Sequence, residues 1–214
     1  MTGFPQHLLE GYRTFTSQRL PTEQSRYREL SERGQAPQVM VIGCCDSRVS
    51  PEVIFDAGPG ELFVVRNIAN LVPVYQPDSG AHGVSAALEY AVTVLRVKHI
   101  VVLGHAQCGG IRAFIDKIEP LSPGDFIGKW MAMFIKPGET VAQRDHETMA
   151  DFTIRIEKAA VFRSLENLMT FPFIRTLVER GELTLHGAYF GVKEGSLSVL
   201  DQATKEFHSA GVGE

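Results

Sequence analysis

At 214 residues, with 44% hydrophobic and 21% charged residues, the chain has the composition of a single soluble domain with a sizeable core. A formal charge of −4 gives a nucleic-acid partner no electrostatic support, and no stretch of about 18 apolar residues is present to span a membrane. Three cysteines in no secretory spacing, after an N-terminus (Met1 to Leu20) without a signal-like apolar run, point to reduced thiols in a cytoplasmic compartment.

In chain order, Phe4, Leu8, Tyr12 and Phe15 recur at three to four residues and predict an amphipathic helix. Pro21 is expected to interrupt it, and Glu23 to Arg33 reads as a second, more polar helix ended by Gly34. Residues 1–34 thus form an N-terminal helical arm whose stripe either caps its own core or packs on a second subunit. Val39-Met40-Val41-Ile42 is a continuous apolar run ending at Gly43, the pattern of a strand buried on both faces. Leu62 to Val65 and Ile100 to Leu103 repeat that pattern. Between them, Ser79 to Val97 carries Val84, Leu88, Ala91, Val94 and Leu95 at helical spacing. Asp125 to Arg180 reads as several helices broken at Pro137 and Pro172. Leu183 to His186 starts a later strand, and Gly191 to Gly195 turns into Leu197 to Leu200. Strand, helix, strand with buried strands predicts an α/β fold, a parallel-rich central β-sheet flanked by helices, with 1–214 as one domain.

Two motifs follow immediately on buried strands, where open α/β sheets bind ligands. They are Cys44-Cys45-Asp46-Ser47-Arg48 and His105-Ala106-Gln107-Cys108-Gly109-Gly110. Cys44, His105 and Cys108 make a Cys₂His set suited to zinc, with the fourth corner of a tetrahedron left open for water or substrate. On an extended segment Cys44, Asp46 and Arg48 share one side and Cys45 faces the other, so Cys45 is read as a small packed thiol. One helical turn would bring His105 and Cys108 to the same face. Arg48 can hold Asp46 in a fixed orientation through its planar fork, keeping the carboxylate off the metal's open corner. Arg48 and Arg66, in otherwise apolar stretches, could also attract a small anion. His82, His99 and His186 are read as packed histidines.

These residues resemble a carbonic anhydrase of the β class, most closely the plant-type branch. The CxDSR and HxxCGG motifs carry the resemblance, with Val64-Val65-Arg66-Asn67-Ile68-Ala69-Asn70 beside them. It implies an obligate homodimer or higher homo-oligomer and reversible hydration of carbon dioxide to bicarbonate and a proton, by attack of zinc-bound hydroxide. It also implies one zinc per subunit on Cys44, His105 and Cys108, an Asp46–Arg48 dyad, and Gln35 donating a hydrogen bond to a substrate oxygen, assisted by the Gly109 amide. Phe63, Ile68 and Tyr90 match an apolar substrate pocket supplied by the neighbouring subunit. Some bacterial members bind a second bicarbonate through a tryptophan three residues before the first cysteine ligand. Val41 stands there in this chain, whose one tryptophan is Trp130. Three rivals share parts of the pattern: a carbon disulfide or carbonyl sulfide hydrolase, a non-catalytic zinc module needing a fourth ligand, and a thiol redox protein using Cys44-Cys45.

Overall fold

The three continuous apolar runs lie side by side as parallel strands, an arrangement that buries them between layers of helices. A computed structural model of the chain describes residues 3–78, 80–136 and 139–211, so the expected helix start at Ser79 and break at Pro137 fall outside the described residues. Strand β1 (Val39–Cys44) sits between β2 (Leu62–Asn67) and β3 (His99–His105), with Met40 level with both Phe63 and Ile100. Parallel β4 (Thr184–Gly191) continues the sheet beyond β3. The hairpin through 191–195 then adds antiparallel β5 (Ser196–Leu200), and β6 (Phe207–Ser209) closes the edge. The strand order is β2-β1-β3-β4-β5-β6. Only the short β6 has no counterpart in the apolar pattern.

Helices cover the face that carries Met40, Ile42, Ile100 and Val102. They include α4 (Gly83–Glu89), which widens into a π-turn at Tyr90–Leu95, α7 (Met149–Leu168) and α8 (Pro172–Glu179). Pro172 opens α8 within its first turn, where a missing N–H costs nothing. Helix α7 approaches the sheet closely because β3 and β4 carry glycines beneath it. A Cβ on Gly104 would lie 2.6 Å from the Val161 side chain, and one on Gly187 3.0 Å from it. Val41, Leu103 and Ala188 point to the other face, covered in part by Ile54 and Phe55 at the end of α3 (Pro51–Ile54). Helices α5 (Gly109–Ile115) and α6 (Phe126–Ala132) pack beside the C-terminal ends of the strands.

The arm departs from the pattern at Pro21. Helices α1 (Gln6–Thr14) and α2 (Leu20–Arg33) run together through a π-turn at Phe15–Arg19, with Pro21 in the first turn of α2. The wide turn just upstream admits a residue that lacks an N–H and would crowd an ordinary helical carbonyl. None of the arm's side chains is buried. Its C-terminal half touches the body where Arg26 Nε donates to the Pro59 carbonyl at 3.3 Å, and its N-terminal half stands free with Leu8 50% and Tyr12 64% exposed.

Candidate metal centre

Cys44 is the last residue of β1 and His105 the last of β3, so two adjacent parallel strands deliver both to one edge of the sheet. Cys108 arrives differently from the expected helical turn. The chain reverses through Ala106 and Gln107, the latter left-handed at φ 58°, and Cys108 then precedes the first residue of α5. The result is the same cluster: the three ligand atoms lie within 4.8 Å of one another and all three residues are buried. The two sulfurs are 4.0 Å apart, close to the ~3.8 Å that two 2.3 Å zinc–sulfur bonds subtend at a tetrahedral ion.

His105 carries the test of fit. Its Nδ1 lies 2.9 Å from the Ala106 carbonyl, which places the ring proton there and leaves the Nε2 lone pair free. That Nε2 is buried without a hydrogen-bond partner. A buried polar atom left unpaired costs on the order of 1–3 kcal/mol, and a cation held with the two sulfurs satisfies it. The two thiols share one hydrogen bond, which lowers Cys44 below the usual thiol range and raises Cys108, so that the pair readily yields a thiolate for a cation. Cys45 is exposed rather than packed; its amide is spent on the Asn67 carbonyl at 2.8 Å.

Asp46 and Arg48 lie on a turn, not on an extended segment. The Val49 amide donates to the Asp46 carbonyl at 3.1 Å, and the Arg48 amide donates to Asp46 Oδ1 at 3.0 Å. Arg48 Nε reaches Oδ1 at 2.9 Å and Nη2 reaches Oδ2 at 2.7 Å, the two-pronged contact anticipated from guanidinium geometry. The guanidinium hydrogen bonds hold the Asp46 carboxyl far below its ordinary range, so it is ionised at any working pH. Arg48 also ties the two motifs together: Nη2 donates to the Gln107 carbonyl at 3.0 Å and Nη1 to its side-chain oxygen at 3.3 Å. Arg66 does not wait for an anion with all its donors, because Nε binds the Cys44 carbonyl at 2.8 Å and Nη2 the Asp46 carbonyl at 2.7 Å.

The remaining predicted site residues are scattered. Gly109 faces open space on its side-chain side. Gln35 is exposed and precedes β1, which from Val39 to Cys44 alone spans about 17 Å at ~3.3 Å per residue, and it does not join the cluster within one chain. Phe63 and Tyr90 pair with ring centroids 5.9 Å apart on β2 and the π-turn, Tyr90 being 44% exposed. Ile68, 37% exposed, packs on its own chain's Gly110, where an added Cβ would lie 2.5 Å from it, so it approaches the metal loop without a partner. Trp130 supports that turn by donating to the Ile68 carbonyl at 2.8 Å. Of the other histidines, His82 and His99 are exposed instead of packed, bonded to Asp78 and His186.

Two residues at the site escaped the sequence reading. Glu157 of α7 is buried behind Cys108, and Tyr189 of β4 is buried against it. Burial raises the Glu157 carboxyl, opposed by the hydrogen bond from Tyr189 and the amide of Cys108. The available signal was a lone glutamate on a helix face otherwise made of Phe152, Ile156, Ala160 and Val161.

Comparison with known proteins agrees with this geometry. A family model described as carbonic anhydrase matches residues 39–197. A carbonic anhydrase of Pseudomonas aeruginosa is 36% identical over 202 residues, 94% of this chain and 90% of that protein. The chloroplastic beta carbonic anhydrase 5 of Arabidopsis thaliana is 40% identical over 165 residues, 77% of this chain and 54% of that protein. Among solved structures, the beta-carbonic anhydrase CcaA matches at a TM-score of 0.85 and 28% identity, covering 96% of this chain and 92% of that one.

Proposed function

The chain belongs to the carbonic anhydrase family, in its β class, and from that premise we propose how its site is built and used. The enzyme is a carbonic anhydrase, and its reaction is the reversible hydration of carbon dioxide to bicarbonate and a proton. Cys44, His105 and Cys108 hold one zinc ion per subunit. The observation that carries this reading is the unpartnered, buried Nε2 of His105 beside two thiol sulfurs. Zinc bound there supplies Lewis acidity that makes water a nucleophile, less strongly than with three imidazoles because two thiolates cancel its formal charge.

The protein's own groups do the rest. Asp46 is oriented by Arg48 on both oxygens, so it neither swings onto the ligand set nor rotates, and its outward lone pair accepts a hydrogen bond from the attacking group. The Gly109 amide donates to a substrate oxygen, and nothing crowds the side-chain side of that residue. Gln35 serves the same oxygen from a neighbouring subunit, since its own site lies at the far end of β1. Phe63 and Tyr90 form an apolar wall there too, while Ile68 lines the pocket from within the chain. Homodimerisation, or higher assembly, is supported by the bare stripe of α1. The free cysteines suit a reducing, cytoplasmic setting, and no helix among the described residues is long and apolar enough to cross a membrane.

A closed structural zinc site would need a fourth ligand, and among the described residues no further His, Cys, Asp or Glu joins the group. Hydrolysis of carbon disulfide or carbonyl sulfide would use the same ligands and is the competitor to assay. Zinc content and carbon dioxide hydration should be measured for the wild type, Cys108→Ser and Cys45→Ser. Cys108→Ser should lose the metal and about 1,000-fold in rate, the loss of several kcal/mol of Lewis-acid stabilisation, while Cys45→Ser keeps both. Full zinc in Cys108→Ser, or hydration no faster than uncatalysed beside rapid carbon disulfide turnover, would overturn the reading.

A further inference from the structure

Glu157 is 2% exposed on the core-facing side of α7, where a carboxylate is tolerated only if its oxygens are hydrogen-bonded. Both are: Oε1 accepts the Cys108 N–H at 3.0 Å and Oε2 accepts the Tyr189 hydroxyl at 2.7 Å. One side chain thus joins helix α7, strand β4 and the turn between β3 and α5. That turn is not a relaxed one, because it passes through left-handed Gln107 at φ 58°. It is gripped on its outer side by Arg48, through the Gln107 carbonyl at 3.0 Å, and on its inner side by Glu157 alone among the side chains that bond the Cys108 amide. The direction of that amide sets the backbone at Cys108 and with it where the sulfur points.

Building on the assignment of Cys108 as a metal ligand, we propose that Glu157, itself held by Tyr189, is a positioning residue that aims the Cys108 thiolate at the metal through hydrogen-bond geometry. Outer partners of this kind typically contribute 10- to 100-fold in metal affinity. Glutamine has the same shape and can accept from the Cys108 N–H while its amide donates to the Tyr189 oxygen, so it preserves the geometry. Leucine fills the space but accepts nothing. Alanine discriminates poorly, since a cavity of about 590 Å³ borders Glu157 and Cys108 and would let water replace the lost acceptor.

The test uses the zinc-loaded enzyme: zinc release to a chelator at fixed pH, and the visible absorption spectrum after cobalt substitution. Glu157→Leu should release zinc about 10- to 100-fold faster with an altered cobalt spectrum, and Glu157→Gln should stay close to wild type in both. Tyr189→Phe, which keeps the ring and removes one neutral hydrogen bond, should accelerate release about threefold. It carries the test if Glu157→Leu does not fold. Wild-type release and spectrum in Glu157→Leu, or in Tyr189→Phe, would overturn the proposal, and so would a Gln variant as impaired as the Leu variant, which would assign the effect to charge. Failure of the underlying metal assignment looks different: Cys108→Ser would then release zinc like the wild type whatever stands at position 157.

Discussion

Residues 6–33 form a helical arm in which no side chain is buried, whereas Cys44, His105 and Cys108, clustered at the C-terminal end of β1, are 4%, 1% and 2% exposed. The arm is held by local devices such as the Arg19–Glu23 ion pair at 2.8 Å and the edge-on contact of Phe15 with Tyr27. The ring contact is worth about 1 kcal/mol, and the ion pair lies in solvent that screens it. The metal face is held by contacts far apart in sequence: Arg48 to Gln107, Arg66 to Cys44, Glu157 to Cys108. The contrast shows which parts of the site are complete in one chain. The Cys44, His105 and Cys108 cluster and the Asp46–Arg48 pair are assembled within it, while the apolar stripe of α1 and the distant Gln35 are the parts that the proposed assembly would complete.

The sharpest break in that contrast comes from Asp46→Asn, which keeps size and removes the carboxylate. Zinc should remain bound, hydration should fall about 100-fold, and the pH–rate profile should change shape. The pH–rate profile with zinc measured in parallel checks this; an unchanged rate and profile would reduce Asp46 to a structural group. Because Arg48 holds Asp46 far below the ordinary carboxylate range, protonation of Asp46 should not appear as an acidic limb near pH 4.

Removing residues 1–20 probes the other region. Among the described residues of that segment no side chain is buried, so the remaining chain should stay folded, but assembly and activity should weaken together, with the tenfold effect in affinity that ~1.4 kcal/mol of lost contact confers as a lower bound. Sedimentation velocity with activity on the same samples decides it. A fully active truncated monomer would mean that the arm is not part of the site.

The smallest effect concerns neither region. Glu147 is lowered from 4.5 to about 2, first by its hydrogen bond to Arg155. A depressed folded pKa means stabilisation that is complete above pH 4.5 and is lost as pH falls towards 2. Glu147→Gln should therefore lower the unfolding midpoint at pH 7 and leave it unchanged at pH 2. Equal losses at both pH values would show that shape and not charge is at stake.

Much of the frame was legible before any coordinates. Runs such as Met40 to Ile42 and Ile100 to Leu103 have the length and β-branched content of strands buried on both faces, and two strand ends carrying Cys44 and His105 suit a shared edge. Pro21 misled because the residue itself says "break", while the π-turn that accommodates it depends on backbone spacing over several residues. The short edge strand β6 has too few apolar residues to register, and it forms because β5 offers it a ladder.

The residue types alone determined the chemistry: two thiols and an imidazole choose a borderline-soft ion, and an arginine two positions from an aspartate chooses a held carboxylate. They also pointed to the parallel sheet, because apolar strands alternating with helical segments bury both faces under crossover helices. What only the tertiary structure decided is how those groups are aimed. Gln107 turns left-handed, Arg48 reaches across to its carbonyl, and Glu157 comes from a helix 49 residues away to bind the Cys108 amide. Such contacts carry no periodicity and no fixed spacing. They exist because burying α7 on the glycines of β3 and β4 brings a carboxylate to a place where two buried donors, the Cys108 amide and the Tyr189 hydroxyl, need an acceptor.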